Sequence, residues 1–527
     1  MTALAGTGAL VRLVLRRDRI RLPSWLVAIL GLVYASAGAV QGTYNTPGDI
    51  AVYARTVGNS PASVVMNGPP TALDTIAGIM IFEINTSAII LTALMAIFLV
   101  VRHTRADEEE GRTELVRATV VGRYGPVAAA LIVVAAACVL VGAGLGLELL
   151  ALGLPPGGSI AYAASIAAVG IVFTAVAAVA AQVTEHARGA LGIAGIVLGA
   201  SFLVRGAGDI GDGRLSWLSP IGWTQAVRPF AGDRWWPLLL SLALSAILLA
   251  IVAGLTSRRD VGSGLISPRP GSPTASPRLT SAVGLAVRLQ RASVLSWLAA
   301  MFVGGVAIGS VGQDVEELIT TNPEIAEMLG VGAGSDIVDA FFATIMLVLA
   351  LIATGFTQSS VLRLRSEESA GRAEPLLATG LSRWRWSLGS LLVTLLGTLL
   401  VLGAGGLGVG LAHGISTGDM GQLPRLFIVS LPYVCAALVL AGVAVALFGW
   451  APRLTPLAWA ALAACFVFGW LGTVLGLPSW LTTLSPFSHV PSAPVEPITA
   501  GPLVTLTAVG LALTAVGLVG FRRRDLG

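Results

Sequence analysis

The side chains able to do chemistry in this chain are few, and most fall in two short segments of charged residues. The first reads Asp107-Glu108-Glu109-Glu110-Gly111-Arg112-Thr113-Glu114-Leu115-Val116-Arg117-Ala118-Thr119. The second reads Glu367-Glu368-Ser369-Ala370-Gly371-Arg372-Ala373-Glu374-Pro375-Leu376-Leu377-Ala378-Thr379. Each sets acids and arginines among apolar residues at roughly helical spacing, the pattern of a short surface helix that docks on another protein. The plainer reading is a solvated charge run that only fixes membrane topology. Survival of the pattern in both copies, where most loops diverged, favours docking.

Two further carboxylates, Glu83 and Glu148, lie inside apolar runs toward one end of each. A charge at the centre of a bilayer costs about 2.5–3.5 kcal/mol on insertion scales, so such residues usually face a cavity or a partner. They are candidates for a path taken by cationic compounds or protons; the alternative is an acid at headgroup level. A third acidic group, Asp314, Glu316, Glu317, Glu324, Glu327, Asp336 and Asp339, holds no arginine; attraction of cations is one reading, and ordinary solvation is the favoured one.

Other chemistry is excluded. The chain has no lysine, so it cannot carry the phosphate-binding lysine of a P-loop ATPase or a Schiff base. Cys138, Cys435 and Cys465 sit singly in apolar runs and read as small hydrophobes, and the four histidines are scattered. No catalytic residue, metal site or bound cofactor is expected, and no nucleic-acid partner.

The elements that must position these residues are membrane helices. Of 527 residues, 55% are hydrophobic and 11% charged, against about 25% charged in soluble domains. Hydropathy predicts twelve spans: Pro23–Val40, Ile76–Val101, Pro126–Leu152, Ile160–Val183, Gly189–Val204, Trp236–Leu255, Ser293–Val311, Val338–Ser360, Trp386–Ala412, Leu426–Gly449, Pro456–Leu475 and Pro502–Phe521. With the N-terminus inside, 26 arginines fall on inside segments and 6 outside, which predicts that both termini are cytoplasmic. The first apolar run, with Ala35-Ser36-Ala37, has some features of a cleavable signal, but losing it would leave the first half one helix short. Gly142 and Gly146, like Gly406 and Gly410, have the spacing of close helix packing.

The two halves repeat each other. Arg105-Ala106-Asp107-Glu108 recurs 260 positions later as Arg365-Ser366-Glu367-Glu368, and Arg123 as Arg383. Ser24-Trp25-Leu26 recurs as Ser296-Trp297-Leu298, and Arg258-Arg259-Asp260-Val261-Gly262 as Arg523-Arg524-Asp525-Leu526-Gly527. Six spans per half is even, so the copies enter the membrane in the same sense, as a parallel repeat. The expected organisation is a first six-helix repeat over 1–255, a cytoplasmic Pro/Ser/Gly-rich linker over 256–290, and a second six-helix repeat over 291–527. Alternating Leu10, Val11, Leu13, Val14 and Leu15 with Arg12, Arg16 and Arg17 predicts an interfacial amphipathic helix before the first span, and Leu285, Val287, Leu289, Arg288 and Arg291 repeat it; the plainer reading is positive-inside flanks.

At the twin charged segments the chain resembles the permeases of ABC type-2 exporters. In duplicated form it is similar to the membrane subunit of actinobacterial polyketide-antibiotic (tetronasin-type) and multidrug exporters, over essentially its whole length. The resemblance implies that each segment forms a coupling helix seated on a separate ATPase subunit, through Glu108, Gly111, Arg112 and Glu114 and through Glu368, Gly371, Arg372 and Glu374. Pro375 departs from Leu115 of the first copy, and is expected to shorten the second helix. The resemblance further implies two copies of an ATPase that holds ATP and Mg, a multi-pass place in the bacterial cytoplasmic membrane, and export of small hydrophobic or amphipathic compounds by rocking of the halves. It also implies a re-entrant segment before the last helix of each half, at Leu215–Trp236 and Leu477–Pro502. One alternative is a membrane-embedded prenyl or glycosyl transferase, which would need paired acidic metal motifs where these acidic runs are interleaved with arginine; the other is a single-chain proton-coupled drug transporter. The few acids in the spans, and the absence of any arginine from them, argue against it.

Overall fold

In the computed structural model of the chain, the described residues are 3–44, 46–58, 61–259, 264–265, 273–310, 335–469 and 478–524. They form helices and no strand. The chain divides into two compact units, Met1–Gly271 and Ser272–Gly527.

In the first unit α1 (Thr7–Arg17) precedes α2 (Arg21–Thr43), and α3 (Pro47–Thr56) and α4 (Pro61–Asn67) lie in the loop that follows. Next come α5 (Ile76–Val101), a π turn at Arg102–Ala106, and the short α6 (Asp107–Glu109) and α7 (Arg112–Arg117). The unit ends with α8 (Gly125–Ala151), α9 (Pro156–Val183), α10 (Ala187–Ile210), α11 (Pro220–Ala226) and α12 (Pro237–Arg258). The second unit holds α13 (Ala282–Gly309), α14 (Ser335–Ser369), α15 (Ala373–Leu377), α16 (Arg383–Thr417), α17 (Gln422–Ser430), α18 (Val434–Trp450), α19 (Leu457–Gly469), α20 (Ser479–Thr482) and α21 (Ala500–Arg523).

Among the described residues eleven helices are long and apolar enough to cross a membrane, which makes this a multi-pass membrane protein. The twelfth expected span is represented by α19, 13 residues that stop where the described residues do. The helices are apolar all round, so burial separates inner from outer ones. In unit 1, α5 and α9 are enclosed, with 72% and 67% of their apolar windows buried, against 17% for α10 and α12. Leu239, Leu242 and Ile247 on α12 are exposed, as suits a face turned to lipid.

Glycine sets the closest contacts. A Cβ on Gly142 would stand 2.3 Å from the Ala163 carbonyl oxygen of α9, and one on Gly410 2.7 Å from the Leu423 Cα of α17. The expected glycine pairs therefore do pack helices closely. Two close seams of unit 2 were not singled out in the sequence: Gly305 and Gly309 of α13 lie against α16, Gly309 facing the Val409 carbonyl oxygen, and Gly449 of α18 lies closer still against the Gly517 carbonyl oxygen of α21.

Two expectations need correction. Residues 282–290 are not linker: the Ser281 hydroxyl accepts from the Gly284 N–H at 3.0 Å, starting α13 at Ala282 as one helix that runs on into the span. In unit 1 the amphipathic α1 is separate, ended by a turn at Asp18. An arginine does lie within a span. Arg205 is 0% exposed inside α10, which continues to Ile210. It is tolerated there because it pairs with Asp209 at 3.3 Å and donates to the Val64 and Met66 carbonyls of the neighbouring loop, each at 3.4 Å. Of the acidic stretch, 314–327 lies outside the described residues, while Asp339 pairs with Arg425 at 2.6 Å.

Candidate functional site

Both charged segments leave the end of a long helix through a glycine in the left-handed region, Gly111 at φ +72° and Gly371 at φ +68°. A side chain would strain that conformation, so glycine serves as the pivot. The Gly111 N–H reaches the Glu108 carbonyl at 3.0 Å, and the Gly371 N–H the Glu368 carbonyl at 2.9 Å. A single turn of helix follows in each case, α7 and α15. Pro375 falls in the first turn of α15, where its missing N–H has no partner to lose, and α15 is one residue shorter than α7.

Behind each pivot sits a buried ion-pair cluster built the same way twice. The Glu108 carboxylate, 6% exposed, accepts from Arg105 at 2.5 Å and from Arg259 at 2.6 Å. The Glu368 carboxylate, 5% exposed, accepts from Arg365 at 3.2 Å and from Arg524 at 2.7 Å. Arg259 and Arg524 stand just past the last helix of their unit, so the carboxylate ties that helix to the loop. The tie is doubled. Arg123 donates to the Thr256 carbonyl at 2.9 Å and the Arg259 carbonyl at 3.3 Å, while Arg383 donates to the Arg524 carbonyl at 2.7 Å and the Phe521 carbonyl at 3.2 Å. These satisfy carbonyls that a helix C-terminus leaves orphaned and place positive charge at its negative end.

A second layer orients the turn. Asp107 accepts from Arg17 of α1 at 2.6 Å and from Arg112 at 2.9 Å, and Arg112 also pairs with Glu110. The hydrogen bond to Asp107 holds the Arg17 guanidinium above its usual pKa range, so it stays charged. In unit 2 Glu367 accepts from Arg372 at 2.7 Å and pairs with Arg363 at 3.4 Å. Glu109 accepts from the Ala187 N–H at 3.0 Å, capping α10; its counterpart Ser369 has no carboxylate for this.

The site residues expected from the sequence thus divide in two. Glu108 and Glu368 face inward, and Arg112 and Arg372 are half-exposed and bound to loop carboxylates. Glu114 and Glu374 face outward, exposed and without a side-chain partner among the described residues. Beside them Leu115 is 74% exposed and Pro375 is exposed too, while Thr113 and Ala373 are buried beneath. The outward face of each turn is therefore an acid next to an apolar residue on a rigid pivot.

Glu83 and Glu148 are both half-buried in unit 1. The Glu83 carboxylate accepts a hydrogen bond from the Tyr53 hydroxyl of α3, which sequence reasoning missed. The corresponding positions in the second half, Ala343 and Gly408, carry no acid. The short helices α11 and α20 lie before the last helix of each unit, and Pro220, Ile221 and Gly222 of α11 are buried.

The chain matches the family described as the C-terminal domain of the multidrug efflux system permease Rv1217c, over residues 8–258 and 279–522. It is 40% identical to the multidrug efflux system permease protein Rv1217c of Mycobacterium tuberculosis over 526 residues, 99% of this chain and 95% of that relative.

Proposed function

The chain belongs to the Rv1217c-type multidrug efflux permeases, and from that premise we propose that it is the membrane-spanning subunit of an exporter driven by ATP hydrolysis on a separate subunit. The observation that carries the proposal is the twin loop. Each copy holds a charged turn rigidly against the last helix of its unit while presenting an unpaired acid and an apolar residue outward. A partner that pushes on such a turn moves the whole unit, because a buried ion pair resists local yielding.

Two loops of one design call for two like partners, one ATPase copy per loop, with ATP and Mg held there. The proposed cargo is hydrophobic or amphipathic compounds such as drugs, moved out across the bacterial cytoplasmic membrane. A proton-driven transporter would rely instead on acids within the spans. Of the acids there, Glu83 is engaged by Tyr53 and Asp209 by Arg205, and neither Glu83 nor Glu148 recurs in the second half.

The test reverses the outward acids. Glu114→Arg together with Glu374→Arg places like charge against a complementary partner, a change worth several kcal/mol at an interface. The double variant should insert and unfold as the wild type does, yet fail to co-purify with the ATPase and fail to export. Unchanged co-purification and export would reduce the loops to topological signals.

A further inference from the structure

The duplicated architecture places a cleft at the same position in both units, and the two clefts differ in one decisive way. In unit 1 the cleft opens between α1 and the charged loop, with a cavity of about 190 Å3. Its walls are apolar: Leu10, Leu13 and Val14 of α1, Val116 of α7, and Pro126 and Ala129 of α8. One end is polar, formed by Arg17, Arg112, His103 and Asp107. In unit 2 the corresponding cleft, between Leu285 and Ala286 of α13, Glu367 and Ser390, keeps only about 30 Å3. There Trp386 stands at the repeat position of Pro126, and Leu289 at that of Arg17. The second copy has filled its cleft with an indole, and its rim arginine is Arg363, at the repeat position of His103, in place of Arg17; the first has kept the space.

We propose that the unit 1 cleft is a seat for one anionic phospholipid, with an acyl chain along the apolar walls and the phosphodiester on Arg17 and Arg112. The charge balance selects the headgroup. Arg17 gives both terminal nitrogens to Asp107 and Arg112 divides its own between Asp107 and Glu110, so these four groups balance while each guanidinium keeps further N–H donors, and the positive excess at the mouth comes from α1. Asp18 is already held by His103 and by Arg102, the latter at 3.3 Å, so it does not repel an anion at the mouth. Around the rim α1 adds exposed Arg12 and Arg16 and contains no acid. A planar guanidinium binds a phosphate oxygen pair bidentately, and arginines at a membrane face draw anionic lipids. Location favours a lipid over a soluble ligand: α1 carries exposed Leu13 and Leu15 beside its arginines, and the cleft lies at the end of spans α5 and α8. Its consequence is structural. The lipid would brace the turn that Arg17 and Asp107 orient, so the first loop would depend on membrane composition and the second would not.

The experiment uses the full chain, delipidated in detergent and read by native mass spectrometry during titration with phosphatidylglycerol or phosphatidylcholine. Wild type should retain one phosphatidylglycerol at concentrations about tenfold below those needed for phosphatidylcholine. Pro126→Trp copies the second unit into the first, and should abolish that preference while leaving thermal unfolding unchanged. Arg17→Gln should bring the two lipids level without losing either, which keeps the proposal testable if Pro126→Trp misfolds. Trp386→Ala should reopen the second cleft and, with Arg363 in its lining, should raise retention of phosphatidylglycerol by a second copy. Equal retention of both lipids by wild type would overturn the proposal. So would displacement of the lipid by soluble glycerol phosphate, which would mark an anion site with no acyl seat. If Pro126→Trp instead released the ATPase and left phosphatidylglycerol bound, the cleft would be a protein-docking groove.

Discussion

Glu108→Gln is the sharpest perturbation of the buried cluster. It leaves Arg105 and Arg259 facing each other, at 1% and 6% side-chain exposure, without the carboxylate that neutralised them. Breaking a buried ion pair by removing one partner costs about 3–5 kcal/mol. The twin variant Glu368→Gln strands Arg365 and Arg524, which are 28% and 18% exposed and better able to reach water. Its cost should fall toward about 1–2 kcal/mol, between buried and surface pairs. With no lysine in the chain, trypsin cuts only at arginine, and Arg112 and Arg117 lie in the loop itself. When opening is fast relative to cleavage, the rate reports the open population. At about 3 kcal/mol, Glu108→Gln should speed loop cleavage roughly a hundredfold, and Glu368→Gln should speed cleavage at Arg372 about tenfold. Adding Arg259→Gln to Glu108→Gln should recover part of the loss, because it removes one of two like charges brought face to face. Equal cleavage rates for Glu108→Gln and for Glu114→Gln, a substitution on the exposed face, would refute the buried-cluster reasoning.

Two further outcomes follow from the helix interior. Gly309→Ala should lower thermal stability by about 1–3 kcal/mol through overpacking against Val409, whereas Gly304→Ala, with nothing within 4 Å, should be neutral in thermal unfolding. If Glu83 and Glu148 lie on the substrate path, replacing either with Gln should reduce export of cationic drugs and largely spare neutral ones; equal loss for both classes in a transport assay would point to a structural role.

The spans were legible because each needs about 20 apolar residues, a signal that survives without context. The twin loops were legible because charge is rare in this chain and recurred at a fixed offset. What each charge does was not. Glu108 and Glu114 look alike in sequence, yet one is closed between Arg105 and Arg259 and the other faces outward. That division depends on Arg259, 151 positions away, whose repeat as Arg524 was visible but had no partner assigned. Arg205 was placed outside a span because hydropathy averages over a window and cannot see that Asp209 and two carbonyls await it. The π turn at Arg102–Ala106 was hidden for a similar reason, since it has no counterpart in α14, where the repeat stays α-helical.

The central claim, a permease whose power comes from a separate subunit docked on two loops, is tested most directly by measuring ATP turnover and native mass on the same preparations. The chain alone should hydrolyse no ATP, having no lysine for a phosphate-binding loop. Co-expressed with its ATPase, it should form a complex of one permease and two ATPase subunits whose turnover rises with drug. Intrinsic hydrolysis by the purified chain, or a stable complex containing two permease chains, would contradict the claim.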